Sequence, residues 1–445
     1  MTVEKNKIID GQEQPKVCFV TLGCKVNQAE SEALAQLFRN AGYQIVDPEQ
    51  RVAAVVINTC TVTNTGSSKS RQAIRRLVRS HPESHIIVSG CYAQTASEEI
   101  LAIPGVDLVI GTQYRTQILK LLEHVKKTGK PCNAVQNIGD VRVFEELPQL
   151  EEESRTRAML KIEDGCNRFC TYCIIPYARG PVRSRLPENA LAEAERLIRA
   201  GYQEIVLTGI HVGAYGEDLA AGWNLARLLQ LMLKIPGMHR LHLGSVEPLE
   251  FSQELIAVIA ASEVICPHLH IPLQSGSNAV LARMQRPYNI EDYRDLLKKL
   301  FQSIPHLAVT TDIIAGFPGE SETSHSQTID FVGSCGFAGI HVFPYSRREG
   351  TVAAAYPDQV SDQVKARRVK ELLQVSRGSQ EKYSHSMLGH ILEVLVERVD
   401  TRGWAYGHTE NYLPVNLPPA VDGDPWQAGQ LVSFILEKKH LAGRL

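Results

Sequence analysis

Two long stretches of the chain alternate short, β-prone apolar runs with segments of helical period, and several of the runs end on glycine or cysteine. In the first stretch the runs cover 16–22, 53–58, 85–89 and 107–110, separated by helical patterns at 28–39, 67–80 and 113–127. Such alternation predicts an open parallel α/β sheet with right-handed crossovers, whose ligands bind at the carboxyl ends of the strands. The second stretch repeats the unit six times, at 158–162, 204–207, 240–243, 268–271, 308–314 and 339–343, with helical patterns between them such as 188–200 and 290–301. Six β/α units predict a partial (β/α)6 barrel, again with its chemistry at the carboxyl ends of the strands. The tail changes character: short runs at 391–398, 404–409 and 431–436, broken by proline and glycine, predict a small antiparallel β-barrel. The expected domains are 13–140, 157–380 and 383–445. Residues 141–156, with Glu145, Glu146, Glu151, Glu152 and Glu153, read as an acidic linker.

Composition excludes little beyond the extremes. Hydrophobic residues at 44% and charged residues at 22% rule out a disordered chain, and a formal net charge of −2 gives no hint of a polyanionic partner. The first twelve residues lack the apolar core of a secretory signal, and no apolar run approaches the roughly eighteen residues that span a bilayer. A cytoplasmic protein without a membrane segment is the expectation.

The ten cysteines are Cys18, Cys24, Cys60, Cys91, Cys132, Cys166, Cys170, Cys173, Cys266 and Cys335. In a cytosolic chain of this size, cysteine clusters point to metal or redox chemistry before disulfides. Cys166, Cys170 and Cys173 form C-x3-C-x2-C just after the first barrel strand. A tetrahedral zinc requires a fourth ligand, and no His or Cys follows nearby. Three thiolates with one vacancy suit a [4Fe–4S] cluster that leaves one iron free for a small molecule. Zinc and buried free thiols are the alternatives. Cys24, Cys60 and Cys91 each close a β-prone run and open a polar loop, so all three are expected on one sheet edge, where they can meet as a second three-ligand site. The alternative for this trio is one or two buried structural thiols. The other four read as structural.

Other strand ends of the barrel carry 208–211 (TGIH), 245–248 (SVEP), 272–276 (PLQSG) and 316–320 (GFPGE). Glycines at such places let the backbone approach a ligand, and Glu247 and Gln274 can hydrogen-bond ribose hydroxyls or an amino group. Taken singly, glycines of this kind only make turns. The helix over 67–80 carries Lys69, Arg71, Arg75, Arg76 and Arg79, a solvated face or a phosphate contact. Arg155, Arg157, Lys161, Arg168, Arg179, Arg183 and Arg185 face only Glu163 and Asp164 in sequence: a solvated strand edge, or a positive shell around the central cysteines and an anionic substrate. In the tail, Tyr383, Trp404, Tyr406, Tyr412 and Trp426 can stack on bases, although some must fill the core. Five basic residues there (Arg398, Arg402, Lys438, Lys439, Arg444) stand against seven acidic ones (Glu393, Glu397, Asp400, Glu410, Asp422, Asp424, Glu437), which weakens any grip on RNA by charge alone.

Through residues 21–27 (TLGCKVN), 58–63 (NTCTVT), 90–91 (GC), 165–173 (GCNRFCTYC), 174–180 (IIPYARG) and 273–277 (LQSGS), the chain resembles the methylthiotransferases of the radical S-adenosylmethionine (SAM) superfamily. The resemblance runs in order along essentially the whole chain. It implies an amino-terminal methylthiotransferase domain, a radical-SAM barrel and a carboxy-terminal TRAM domain. It also implies two [4Fe–4S] clusters, one on Cys166, Cys170 and Cys173 that binds SAM, the other on Cys24, Cys60 and Cys91. Tyr172 is then expected near the SAM adenine, with simple loop packing as its alternative, and Gly209, Glu247 and Gln274 as further SAM contacts.

Family members modify isopentenyladenosine in tRNA, threonylcarbamoyladenosine in tRNA, or an aspartate of a ribosomal protein. GCKVN at 23–27 and YARGPVRSR at 177–185 look most like the second group. The resemblance thus implies addition of a methylthio group to C2 of N6-threonylcarbamoyladenosine at tRNA position 37, with one SAM as radical source, another as methyl donor, and an electron-donor protein as partner. Breaking an unactivated aromatic C–H bond lies beyond any general base working near pH 7, so the step falls to a cofactor that the protein positions. The base must be unstacked to reach the barrel mouth, which is easier in an anticodon loop than in a duplex. The rivals are the other two substrates and a non-enzymatic RNA-binding iron–sulfur protein.

Overall fold

The structure, a computed structural model, describes residues 14–148, 156–220, 222–420 and 424–441. Glu151, Glu152, Glu153, Arg155, Asp422 and Arg444 lie outside the described residues. The chain divides into two compact units, the first built on residues up to Ile138 and the second holding Gly139–Glu146 and the chain from 156 onward.

The first unit is a parallel sheet of β1 (Lys16–Thr21), β2 (Gln44–Ile45), β3 (Ala54–Thr59), β4 (His85–Gly90), β5 (Leu108–Val109) and β6 (Cys132–Asn133), in the order β2-β1-β3-β4-β5-β6. Every residue of β3 is buried, as a central parallel strand covered on both faces must be. On one face Val17, Ala54 and Val56 meet Leu34 and Phe38 of the helix Lys25–Asn40 and Ile118 and Leu122 of the helix Ile118–Thr128. On the other, Cys18, Val55 and Ile57 meet Ile74 and Leu77 of the helix Asn64–Ser80.

The second unit begins with β7 (Ala158–Lys161), then an antiparallel pair, β8 (Glu163–Asp164) and β9 (Arg183–Ser184), that brackets the C-x3-C-x2-C loop. The remaining strands are β10 (Glu204–Thr208), β11 (Arg240–Leu243), β12 (His268–His270), β13 (Ala308–Ala315) and β14 (Gly339–Pro344). They form two parallel triplets, β11-β10-β7 and β12-β13-β14, linked by parallel bridges at Leu241–Ile265 and Ser245–His270. Alternate residues divide between two faces. In β13, Val309, Ile313 and Ala315 pack with helix residues such as Tyr293 and Leu297, while Thr310, Asp312 and Ile314 turn to the opposite, inner face.

The tail is an antiparallel sheet of β15 (Ile391–Val399), β16 (Ala405–Thr409), β17 (Pro414–Leu417) and β18 (Leu431–Ile435), ordered β17-β16-β15-β18. A bridge from Val415 to Leu441 returns the chain to β17. Arg157 ties this sheet to the parallel strands, with Nε 2.8 Å from Glu204 and Nη2 2.7 Å from Glu397. Tyr412 stacks on His268 and His408 at ring separations of 4.8 and 4.7 Å. Trp426 donates to the Pro418 carbonyl and packs in the sheet's core, and the Tyr383 hydroxyl donates to the His306 carbonyl. At least three of the five aromatics expected to stack on bases are therefore engaged inside the unit. Glu146, expected in a linker, accepts from Arg185 and Asn189. Among the described residues no helix is long and apolar enough to cross a membrane.

Candidate metal centres

Cys24, Cys60 and Cys91 stand at the carboxyl ends of β1, β3 and β4, which are neighbours in the sheet. The register sets Thr21 beside Asn58 and Thr59 beside Gly90, so the chain leaves all three strands at nearly one level. Cys24 precedes the helix Lys25–Asn40 and is exposed; Cys60 is half-buried; Cys91 opens the short helix Cys91–Thr95 and is buried. At Gly23 (φ +111°) a Cβ would lie 2.9 Å from Cys60 Cβ and 3.2 Å from its sulfur, so the turn before Cys24 rests on Cys60. Asn27 donates to the carbonyls of Leu22 and Thr59, and Asn58 donates back to the Asn27 carbonyl at 2.9 Å. These bonds pin two cysteine loops together with side chains from the motifs themselves. Neighbouring strands are about 4.8 Å apart, so the trio shares an edge narrow enough for one small inorganic group.

The second triad is built around a turn. Gly165 has φ +95°, and a Cβ there would sit 1.9 Å from the Pro181 carbonyl oxygen. The Cys166 amide donates to the Gly180 carbonyl, and Asn167 accepts from the Val182 amide. Thr171 anchors the middle of the loop by donating from its amide to the Met284 carbonyl and from its hydroxyl to that of Arg283. Cys170 is buried, while Cys166 and Cys173 are half-buried. Burial pushes the Cys173 thiol up to about 12, with the negative charge of Cys170 adding to it, and raises Cys166 likewise, against a backbone hydrogen bond. Three sulfur donors crowded into one loop are the donor set that a metal cation gathers, so this loop fits a metal cluster.

Two further residues complete the surroundings. Arg286 donates from Nη1 to the sulfur of Cys170 at 3.2 Å and pairs through Nη2 with Glu247. His211 places Nδ1 3.8 Å from the sulfur of Cys166, with its other nitrogen on Glu250. Neither was marked as a site residue by spacing. Arg286 belongs to no motif with the cysteines, and only the fold brings it back to Cys170.

The expected SAM contacts divide. Glu247 reaches the cysteine loop through Arg286. Tyr172 sits edge-on to Phe317 at 6.5 Å, in an apolar group with Met284 and Tyr345. Gly209 makes room for Glu163: a Cβ there would lie 2.8 Å from Oε2, which accepts from the amides of Ile210 and His211. Burial pushes that carboxyl well above its ordinary range. Gln274 is buried with φ +69°, its amide donating to the Asp312 carbonyl.

The basic stretch points inward. Arg179 and Arg183 are fully buried and, with Lys161, surround Asp164 at 3.3, 3.5 and 2.7 Å. Arg157 serves Glu204, and Arg185 serves Glu146. What looked like a solvated edge or a positive shell is largely a set of buried pairs, because a guanidinium leaves water only with a carboxylate to receive it. On the helix Asn64–Ser80, Arg71 donates to the Tyr92 hydroxyl at 3.0 Å, while Arg75, Arg76 and Arg79 stay exposed.

Two family profiles match the chain: residues 16–111, which hold Cys24, Cys60 and Cys91, match an uncharacterized protein family, UPF0004, and residues 160–332, which hold the other triad, match the Radical SAM superfamily. The threonylcarbamoyladenosine tRNA methylthiotransferase MtaB of Bacillus subtilis (strain 168) is 46% identical over 437 residues, 94% of this chain and 97% of the relative. The chain belongs to the radical-SAM methylthiotransferases. Another methylthiotransferase relative, the tRNA-2-methylthio-N(6)-dimethylallyladenosine synthase of Natranaerobius thermophilus, is 34% identical across 96% of this chain and 95% of its own. Among solved structures, the radical S-adenosylmethionine methyltransferase TsrM of Kitasatospora setae shares the fold at a TM-score of 0.55, with 15% identity over 75% of each chain.

Proposed function

We propose that the protein is a tRNA-modifying enzyme that adds a methylthio group to C2 of N6-threonylcarbamoyladenosine at position 37, next to the anticodon. The observation that carries this reading is the 46% identity over 94% of the chain to a relative named for that substrate. Cys166, Cys170 and Cys173 would hold the [4Fe–4S] cluster that binds SAM, and Cys24, Cys60 and Cys91 a second one. When bound, the clusters and SAM would supply the carbon radical, the methyl group and an iron site that carries the sulfur.

This chain's own residues set the stage for that chemistry. The Gly165 turn and the Thr171 anchors hold the three thiols in one loop. Arg286 offsets the charge of Cys170 and aligns Glu247, whose remaining acceptor capacity suits an amino or ribose group of SAM. Tyr172 and Phe317 form the apolar wall beside the loop. We read β15–β18 as a TRAM-like module that plugs the second unit and assists RNA binding. An electron-donor protein and a cytoplasmic location complete the proposal.

Mass spectrometry of tRNA nucleosides tests it. Cells lacking the protein should lose the methylthio form of threonylcarbamoyladenosine and accumulate the unmodified form. Persistence of the methylthio nucleoside would overturn the reading, and loss of methylthio-isopentenyladenosine instead would move the enzyme to the other tRNA substrate.

A further inference from the structure

On the inner face of the second unit, four side chains from three adjacent strands form a group that has no part in the cluster chemistry above. Leu269 and Ile271 flank His270 and pack in the core, so His270 turns inward; on β13 the alternate positions Val309, Ile313 and Ala315 are in the core, which turns Asp312 inward too. On β14, Ile340 is in the core and Val342 packs against it, which leaves His341 and Phe343 on the inner side. The register sets His270 beside Thr310, Asp312 beside His341, and Ile314 beside Phe343. Nε2 of His270 lies 3.3 Å from Oδ2 of Asp312, and the His270 and His341 rings are 5.7 Å apart. Nδ1 of His270 is 3.0 Å from the Thr310 hydroxyl, which fixes the ring.

Three properties point this group at a ligand. It is accessible: His341 is exposed, and Phe343 keeps 46% of its surface, a large apolar side chain left open to solvent. It adjoins the cysteine loop, because Ile314, the register partner of Phe343, packs with Tyr172 in one apolar cluster. It also lies directly beneath the rim, since the Asp312 carbonyl accepts from the amide of Gln274. Another histidine-and-acid group, Glu204, His242 and Cys266, is by contrast buried, and its Glu204 already serves Arg157 and Arg240.

An exposed aromatic ring beside paired hydrogen-bonding groups is the chemistry that receives an unstacked base. We propose that His270, Asp312, His341 and Phe343 form the binding site for the modified adenine, which rests on the threonylcarbamoyladenosine reading above. Phe343 stacks on the base. The arm on N6 carries a carboxylate, a hydroxyl and urea N–H groups. The His341 imidazole donates to the carboxylate, and Asp312, held by His270, accepts from the hydroxyl or a urea N–H. A dimethylallyl arm offers none of these polar groups, so a site built for them discriminates against it. His341 and Phe343 lie beyond residues 160–332, the stretch matched by the Radical SAM superfamily profile.

The test uses the cluster-loaded full chain and two anticodon stem-loop RNAs, one carrying threonylcarbamoyladenosine and the other dimethylallyladenosine at position 37. RNA affinity, methylthio product and metal content are measured for the wild type and for His341→Ala, Phe343→Ala and Phe343→Tyr. His341→Ala should raise KM for the threonylcarbamoyl RNA about tenfold or more, the loss expected of a hydrogen bond to a charged group, and narrow the preference between the RNAs, with metal content unchanged. Phe343→Ala should weaken both RNAs alike, and Phe343→Tyr should restore them. A His341→Ala enzyme with wild-type selectivity overturns the site alone. A His341→Ala effect accompanied by loss of one divalent metal per chain beyond the cluster iron overturns it in favour of a His–Asp–His metal site. A wild type that leaves the threonylcarbamoyl RNA untouched overturns the substrate reading, and the arm assignment with it.

Discussion

The guanidinium of Arg286 stands between Cys170 and Glu247, with Nη1 3.2 Å from the cysteine sulfur and Nη2 on the carboxylate, while Nε donates to the Tyr288 hydroxyl at 2.9 Å. One buried cation thus touches a thiol of the central triad and a candidate SAM contact. A hydrogen bond donated to a ligating sulfur raises the reduction potential of an iron–sulfur cluster, and residues that orient ligands in this way usually carry about 10–100-fold in activity. Arg286→Gln should therefore lower the midpoint potential of the cluster on Cys166, Cys170 and Cys173 and slow SAM cleavage by about that factor, with iron retained. Spectroelectrochemistry of the reconstituted protein reads the potential directly, and an unchanged value would remove Arg286 from this role.

Gly165 and Gly129 both have positive φ, but their surroundings differ. A Cβ at Gly165 would meet the Pro181 carbonyl oxygen at 1.9 Å, whereas at Gly129 nothing lies within 4 Å. Gly129→Ala should cost only the backbone strain, about 1 kcal/mol. Gly165→Ala must displace the segment that receives the Cys166 amide, so it should strip iron from the central triad while the other site keeps its own. Iron analysis and thermal melts of the two variants separate strain from collision; equal behaviour would mean that the Pro181 contact does not shape the loop.

Two clusters predict about eight irons per chain after anaerobic reconstitution, and about four after either Cys166→Ala or Cys60→Ala. Cys18→Ala should leave iron unchanged, because Cys18 is fully buried inside β1 and its thiol is pushed up to about 11 by burial. Four irons in the wild type, all kept by Cys60→Ala, would refute the site in the first unit.

The parallel strands were legible because burial on both faces leaves an uninterrupted apolar run, as in β3. The cysteines were legible because each lies where such a run stops. Shorter elements left no such trace: β2 and β6 have two residues each, too few to display a period, and β17 opens on Pro414, a residue that argues against a strand. Charge counting failed for another reason. The number of arginines between 155 and 185 says nothing about their partners, and Asp164 gathers three cations at close range in three dimensions. Arg286 escaped notice because its contact with Cys170 spans 116 residues of chain. Residues that act through long-range contacts have no spacing to betray them.

Glu204 offers a test of what holds the tail sheet to the parallel strands. Its carboxylate is fully buried and meets Arg157 at 2.8 Å, Arg240 at 3.1 Å and His242 at 3.4 Å, while Arg157 continues to Glu397 on β15. Burial alone would push the carboxyl up, but the hydrogen bond from His242 and the charges of Arg240 and Arg157 outweigh it and bring it down to about 2, from an ordinary 4.5. A carboxyl lowered on folding stabilises the protein above its unfolded value and loses that contribution as pH falls from about 4.5 to about 2, here about 3 kcal/mol in all. Glu204→Gln should therefore destabilise the second unit by about 3 kcal/mol at pH 7, the scale at which a broken buried pair strands its partners. It should also flatten the decline in stability between pH 4.5 and 2 relative to wild type. Denaturant melts at pH 7, 4.5 and 2.5, followed by tryptophan fluorescence, measure both effects. Parallel pH profiles for the two proteins would show that Glu204 does not carry the acid sensitivity of this junction.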